Sequence, residues 1–234
     1  MKKFTTAVIL AAGSGNRFGG AVKKQYAELC GVPCIVRTLR AFEIAQSIDE
    51  VILVGDVEAL HDTVDGEGFK KLAKIVEGGE TRQRSALHGF DAVSPKSKYV
   101  AFHDGARCLV TPDIIDRTVE AAYKYRAATA AHACTDTVKS SDPKDFVKRT
   151  LDRNEIWLSQ SPQVFETDLY RVSAYMAIRD GATATDDCML AERLGFDVKL
   201  VECGSMNLKL TLPEDKDIFE AIIRSREQAG GGQS

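Results

Sequence analysis

No pair of cysteines in this 234-residue chain is spaced as Cys-x-x-Cys, and the six that occur (Cys30, Cys34, Cys108, Cys134, Cys188 and Cys203) are scattered. Cys30 and Cys34 lie four apart, but no His or Cys pair follows at zinc-site spacing. Free thiols in a reducing compartment are the reading this leaves. A basic excess is lacking too. The 31 Lys and Arg residues face 34 Asp and Glu residues, which argues against a general nucleic-acid binder. No apolar run approaches the ~20 residues of a membrane span. The opening Met-Lys-Lys imitates a secretory leader, but the apolar run behind it stops at Ala12 with no cleavage region. A cytoplasmic protein without a membrane partner is expected. Internal repeats are missing as well, and the length and 44% apolar content suit one α/β domain over residues 1–234.

What is present begins with the first 26 residues. Ala7 to Leu10 is a short apolar run that ends in Ala11-Ala-Gly-Ser-Gly-Asn-Arg17. Such a run bounded by glycines reads as a buried strand. Glycines behind a strand let backbone N–H groups close on an anion with no Cβ in the way. Arg17 and the pair Lys23 and Lys24 then add positive charge, so a phosphate site for a nucleotide is expected. Two common phosphate loops are excluded. The dinucleotide fingerprint fails because Phe18 stands at its third glycine, and the P-loop fails because Ala21-Val22 follows Gly19-Gly20. The missing third glycine also disfavours an NAD-dependent oxidoreductase.

Further along, apolar runs alternate with helical periodicity. Strands are predicted at 51–54, 74–77, 99–102, 127–133, 198–202 and 207–211. Helices are predicted at 33–46, 57–73, 80–93, 112–126, 167–180, 185–194 and 213–227, with a turn at 29–33. This alternation implies a Rossmann-like, mostly parallel sheet covered by helices on both faces. Ligands bind such sheets outside the carboxyl ends of the strands. Three Gly-containing polar junctions, 11–17, 78–85 and 103–107, fall at such ends. Residues 135–165 break the rhythm around the turn-rich Ser140-Ser-Asp-Pro-Lys-Asp145. They read as a hairpin-like excursion, either a solvent-exposed insertion or a β-arm at about 135–160 that reaches a neighbouring subunit. A disordered tail is expected from about 229.

Seven motifs accompany the loop: Gly78-Gly-Glu-Thr-Arg82 with Ser85, His103-Asp-Gly-Ala-Arg107, Asp136-Thr-Val-Lys139, Asp152-Arg-Asn154, Ser161-Pro-Gln163, Ala184-Thr-Asp-Asp187 and Asn207-Leu-Lys-Leu-Thr211. Their order resembles that of the 2-C-methyl-D-erythritol 4-phosphate cytidylyltransferases over residues 5 to about 225. The resemblance implies transfer of a cytidylyl group from CTP to the polyol phosphate, with release of pyrophosphate, in non-mevalonate isoprenoid synthesis. It further implies a homodimer joined through the arm and a divalent ion, usually magnesium. With no carboxylate cluster in the sequence, the ion is expected on the CTP phosphates rather than on a protein metal site.

Roles carried over by the resemblance are as follows. Arg17 and Lys24 would stabilise charge at the α-phosphate, and Ala11, Ala12, Gly13, Ser14 and Gly15 would hold the triphosphate. Gly79, Glu80 and Ser85 would read the cytosine edge. Asp104 and Arg107 would meet the acceptor and sugar, Lys209 would orient the acceptor phosphate, and Ser161 and Thr185 would line the acceptor region. Arg153 and Thr137 on the arm would reach the acceptor of the partner subunit. His103 reads as structural. The family often has Pro where Leu10, Lys23 and Cys108 stand and Thr where Ser161 stands, and Lys23 blurs which lysine acts. A ribitol 5-phosphate cytidylyltransferase shares a similar loop, and the same fold can carry a non-catalytic nucleotide-binding regulator.

Overall fold

The computed structural model describes residues 2–13 and 23–230. In chain order the elements are β1 (Thr5–Leu10), β2 (Glu28–Leu29), β3 (Val32–Pro33), α1 (Cys34–Ile44), β4 (Glu50–Gly55), α2 (Val57–Val64), β5 (Leu72–Glu77), α3 (Arg82–Asp91) and β6 (Tyr99–Asp104). There follow α4 (Pro112–Tyr125), β7 (Ala127–Ala133), β8 (Lys139–Ser141), β9 (Val147–Thr150), β10 (Trp157–Glu166), α5 (Thr167–Arg179), α6 (Asp187–Glu192), β11 (Lys199–Glu202) and α7 (Asp215–Gly230). Seven strands form one sheet in the order β11-β7-β10-β6-β1-β4-β5. Its neighbours run parallel except around β10, which is antiparallel to both β6 and β7.

The sheet is buried from both sides because successive side chains of a strand point to opposite faces. Ala7 and Ile9 of β1 pack with Ile35, Leu39 and Phe42 of α1 and with Ile115 and Val119 of α4. Val8, between them, packs with Phe90 of α3 and Tyr170 of α5. Each such fully buried large side chain contributes about 1.5–3 kcal/mol relative to exposure. Helix starts are fixed by side-chain caps: Thr81 accepts from the Arg84 N–H, Thr111 from Ile114 and Asp186 from Met189. The capped start of α3 matters for function, since it fixes where the loop at 78–81 ends.

Several expectations need correction. The helix predicted over 57–73 stops at Val64, because Gly66 and Gly68 take left-handed φ values of 91° and 75° that an α-helix cannot continue through. Residues 207–211 form no strand. They are pinned by scattered bonds, with Leu210 N–H donating to Ala106 O and Asn207 donating to Ser161 O. The excursion is shorter than 135–165: Trp157–Glu166 returns to the sheet as β10. Helix α6 begins at Asp187 rather than 185. Helix α7 begins at Asp215, whose carboxylate accepts the Thr211 and Leu212 N–H groups, and it runs on through 229 to Gly230. The remaining tail lies outside the described residues. Between β7 and β10 the chain leaves the sheet as the β8–β9 hairpin, which projects from the carboxyl end of β7.

Candidate active site

The carboxyl ends of β1 and β6 and the turn after β5 surround a cleft of about 370 Å³. Ala11, Ala12 and Gly13 form one wall, Lys24 and Gln25 the next, Gly79 to Arg82 the third, and Asp104 with Lys209 the fourth. Adjacent strand ends are tied to one another. Ala11 N–H donates to Val54 O at 2.7 Å, Gly78 N–H to Gly55 O at 3.0 Å and Gly105 N–H to Leu10 O at 2.9 Å. Packing is close enough at Gly78 that a Cβ there would stand 2.3 Å from the Ala12 Cβ.

At the first wall, the side chain of Gln25 is only 3% exposed and donates to the carbonyls of Ala11 at 2.7 Å and Gly13 at 3.2 Å. A carbonyl drawn towards Gln25 turns the N–H of the same peptide unit the other way. Gln25 therefore sets the orientation of the backbone that begins the glycine loop. The sequence alone assigns Gln25 no role, and its place beside Lys24 is the available signal. The two lysines separate clearly. Lys24 lines the cleft, whereas Lys23 reaches Asp56 at 3.6 Å on the surface. Arg17, Ser14 and Gly15 lie outside the described residues.

The third wall is a tight loop. Ser85 accepts the Gly79 N–H at 3.0 Å and donates to Thr81 O at 2.9 Å, so its hydroxyl folds the loop. Ser85 lines the cleft, and its hydroxyl and the Gly79 N–H are bonded to each other within the protein. A Cβ on Gly79 would stand 2.5 Å from the Arg84 Cβ and 2.9 Å from the Arg84 carbonyl carbon, so only glycine fits against α3. Glu80 is exposed at the cleft mouth.

Asp104 is the centre of a charge cluster. Lys209 Nζ stands 2.8 Å from Oδ2, Arg82 Nε 3.6 Å from Oδ1, and Arg107 Nε 3.6 Å from Oδ2. Burial alone would raise the Asp104 carboxyl, but Lys209 and Arg82 outweigh it and hold it well below the usual carboxylate range. Burial likewise works against the Arg82 charge, yet Asp187 and Asp104 raise its pKa above that of an ordinary arginine. Arg82 ends the Gly78–Arg82 motif, and the sequence alone assigns it no role. Its partner Asp187 lies at the start of α6, far along the chain, and Nη2 to Oδ2 is 2.8 Å.

Arg107, Ser161 and Thr185, expected near the acceptor, lie off the cleft wall, and Thr137 and Arg153, expected on the arm, lie there. Arg107 sits behind Asp104 and donates to Asn207 O at 2.8 Å. Ser161 is 2% exposed; it accepts the Asp104 N–H and meets His103 Nδ1 at 3.0 Å, so it supports the end of β6 from behind. Thr185 is exposed with its hydroxyl at Met189 Sδ, and Thr137 is exposed on the arm. Arg153, also exposed on the arm, donates to Thr135 O at 3.1 Å. None of these lines the cleft of its own chain. His103 is fully buried against Phe42, and burial pushes its pKa down to about 3, which fits its structural reading. Two motifs read separately prove to be one unit: Gln163 donates to Asp186 Oδ2 and accepts the Asp187 N–H. Among the described residues no group of three or more His, Cys, Asp or Glu could hold a metal, and no helix is long and apolar enough to cross a membrane.

Lysines beside a tight loop at the carboxyl ends of a mostly parallel sheet make this cleft a site suited to a phosphate-bearing ligand, and comparison with known proteins identifies the class as a nucleotidyltransferase. The family model for 2-C-methyl-D-erythritol 4-phosphate cytidylyltransferase matches residues 5–225. A protein of that name from Pelotomaculum thermopropionicum is 41% identical over 233 residues, covering 96% of this chain and 98% of that one. Another, from Caldanaerobacter subterraneus, is 39% identical over 223 residues, covering 94% and 98%. The crystal structure of 4-diphosphocytidyl-2C-methyl-D-erythritol synthase from Anaerococcus prevotii superposes with a TM-score of 0.85 at 30% identity, covering 95% of this chain and 96% of that one. The chain belongs to the 2-C-methyl-D-erythritol 4-phosphate cytidylyltransferase family.

Proposed function

We propose that this cleft is where the chain carries out the reaction of its family. An oxygen of the 4-phosphate of 2-C-methyl-D-erythritol 4-phosphate attacks the α-phosphorus of CTP. The bond from that phosphorus to the bridging oxygen breaks, pyrophosphate leaves, and 4-diphosphocytidyl-2-C-methyl-D-erythritol is formed. The observation that carries this reading is convergence: Ala11 to Gly13, Lys24, Gly79, Asp104 and Lys209 line one cleft although they span most of the sequence.

The nucleophile is already an anion, so no general base is needed. The work lies in bringing two polyanions together and in stabilising charge at the α-phosphorus. Lys24 and Arg17 take that task, and the N–H groups after Ala11 hold the triphosphate. Glu80 and the carbonyl of Gly79 face the cytosine edge. Lys209, oriented by its ion pair with Asp104, receives the acceptor phosphate. A divalent ion fits this site on the triphosphate rather than on the protein, because Asp104 is already engaged by three cations. When bound, it would neutralise phosphate charge.

The β8–β9 arm is the proposed means of dimerisation. It exposes Phe146 at 69% and Val147 at 63%, an apolar surface suited to a second copy. Arg153 and Thr137 would then serve the partner's acceptor site. Six free cysteines support a cytoplasmic location. The test is pyrophosphate release from CTP with each polyol phosphate offered separately. Release with the methylerythritol phosphate is expected; release with ribitol 5-phosphate alone would reassign the acceptor, and no release with either would favour a regulator. Verified mixed dimers of Lys24→Ala and Arg153→Ala subunits should regain activity, and absence of rescue would count against a partner-supplied arginine.

A further inference from the structure

Arg82 is held from behind by a carboxylate that the cleft does not expose. Asp187 is 1% exposed, and its Oδ2 stands 2.8 Å from Arg82 Nη2. Its Oδ1 accepts the Tyr170 hydroxyl at 2.8 Å, and its N–H donates to Gln163 Oε1 at 2.9 Å. Tyr170, also 1% exposed, is wedged among rings, with centroids 4.2 Å from Phe102, 4.9 Å from Phe90 and 5.5 Å from Phe165. The carboxylate thus has a rigid seat in the core. On the cleft side, Arg82 Nε faces Asp104 Oδ1 at 3.6 Å, and Asp104 Oδ2 holds Lys209 at 2.8 Å.

Charges therefore alternate along a line from the core to the cleft: Asp187, Arg82, Asp104, Lys209. We propose that Asp187 and Tyr170 are positioning residues for the acceptor half of the reaction, which act by drawing Arg82 back from Asp104 so that Asp104 remains the partner of Lys209. Stability alone does not call for this arrangement, since a buried ion pair is matched or bettered by apolar residues of similar volume. Without the Asp187 charge, the guanidinium would close on Asp104 as a two-pronged partner, which is its preferred geometry with a carboxylate. Lys209 would then lose its fixed place. Neither Asp187 nor Tyr170 lines the cleft, and Arg82, though it ends the second-loop wall, makes its cleft-side contact with Asp104 rather than with Gly79 or Glu80, so nucleotide affinity should be little affected.

This inference rests on the functional reading above. Asp187→Asn keeps the shape and an acceptor for Tyr170, and Tyr170→Phe keeps the ring in case the first variant folds poorly. With Asp187→Asn, kcat/KM for the polyol phosphate should fall about tenfold to a hundredfold, the scale of a misplaced positioning group. Tyr170→Phe should lower it about twofold to fivefold in the same direction, the scale of one hydrogen bond. The CTP dissociation constant, measured by calorimetry without acceptor, should stay within about twofold in both, because the lost interaction concerns the acceptor. Arg82→Lys should show an acceptor-side loss like that of Asp187→Asn, because a compact ammonium lacks the planar fork by which Arg82 meets Asp187 through Nη2 and Asp104 through Nε. Unchanged acceptor kinetics in both variants, or equal losses in CTP affinity and acceptor use, would overturn the proposal. A wild-type protein that releases no pyrophosphate would instead overturn the functional reading, and this inference with it.

Discussion

His103 links fold stability to pH in a way that can be worked from the structure. The imidazole lies at the end of β6, fully buried, with its centroid 5.0 Å from that of Phe42. Nε2 stands 3.3 Å from Arg107 O, so the Nε2–H tautomer donates there and leaves Nδ1 to accept from Ser161 Oγ. Ser161 in turn accepts the Asp104 N–H. A second ring proton would face the Ser161 hydroxyl proton, and burial penalises the cation, so the native pKa falls to about 3. In the unfolded chain the ring titrates near about 6.5. Between these values the unfolded state binds one proton more, so stability is fully present above the unfolded value and is lost as the pH falls. From about pH 8 to about pH 5 the loss is ~2 kcal/mol, set by the unfolded value because the native ring is neutral throughout.

His103→Gln isolates this effect. The glutamine amide keeps a donor for Arg107 O and does not titrate. Losing the acceptor for Ser161 should cost about 1 kcal/mol at every pH. Urea unfolding at several pH values between about 5 and 8 should show the wild-type advantage shrinking by ~2 kcal/mol on acidification, while charges common to both proteins cancel in the difference. Parallel stability curves would refute a buried neutral ring.

Gly79→Ala should weaken CTP binding about tenfold or more, because a Cβ at 2.5 Å from Arg84 pushes the second loop off α3; calorimetric titration with CTP checks this, and unchanged affinity would remove the loop from the nucleotide site. Gln25→Met removes the two bonds to the Ala11 and Gly13 carbonyls and should cost CTP affinity about fivefold to thirtyfold, at about 1 kcal/mol per bond. Acceptor KM at saturating CTP should stay near the wild-type value in that variant.

How far the sequence disclosed these features depends on the range of the interactions that make them. β1 and β4 were legible because they are buried on both faces and read as unbroken apolar runs. β10 was obscured because Ser161 and Gln163 are buried polar residues, satisfied by His103 and by the start of α6, and they interrupt the apolar pattern. Asn207 to Thr211 alternates like a strand, but its backbone is committed to Ala106 and Arg107 rather than to a ladder. Within the site, the junctions at strand ends were foreseeable from strand polarity alone. The roles of Arg82 and Gln25 were not, since each depends on partners that only the folded chain brings near. Ser161 shows the converse: a motif residue can sit beside a functional one and serve it from behind.

The transfer itself can be followed with CTP labelled at the α-phosphorus. With 2-C-methyl-D-erythritol 4-phosphate present, the label is expected to move into the diphosphocytidyl product in step with pyrophosphate release, and to do so far more slowly in Lys24→Ala and Lys209→Ala. Label recovered as free CMP, or transfer that persists undiminished in both variants, would contradict a cleft in which these two lysines bring the phosphates together.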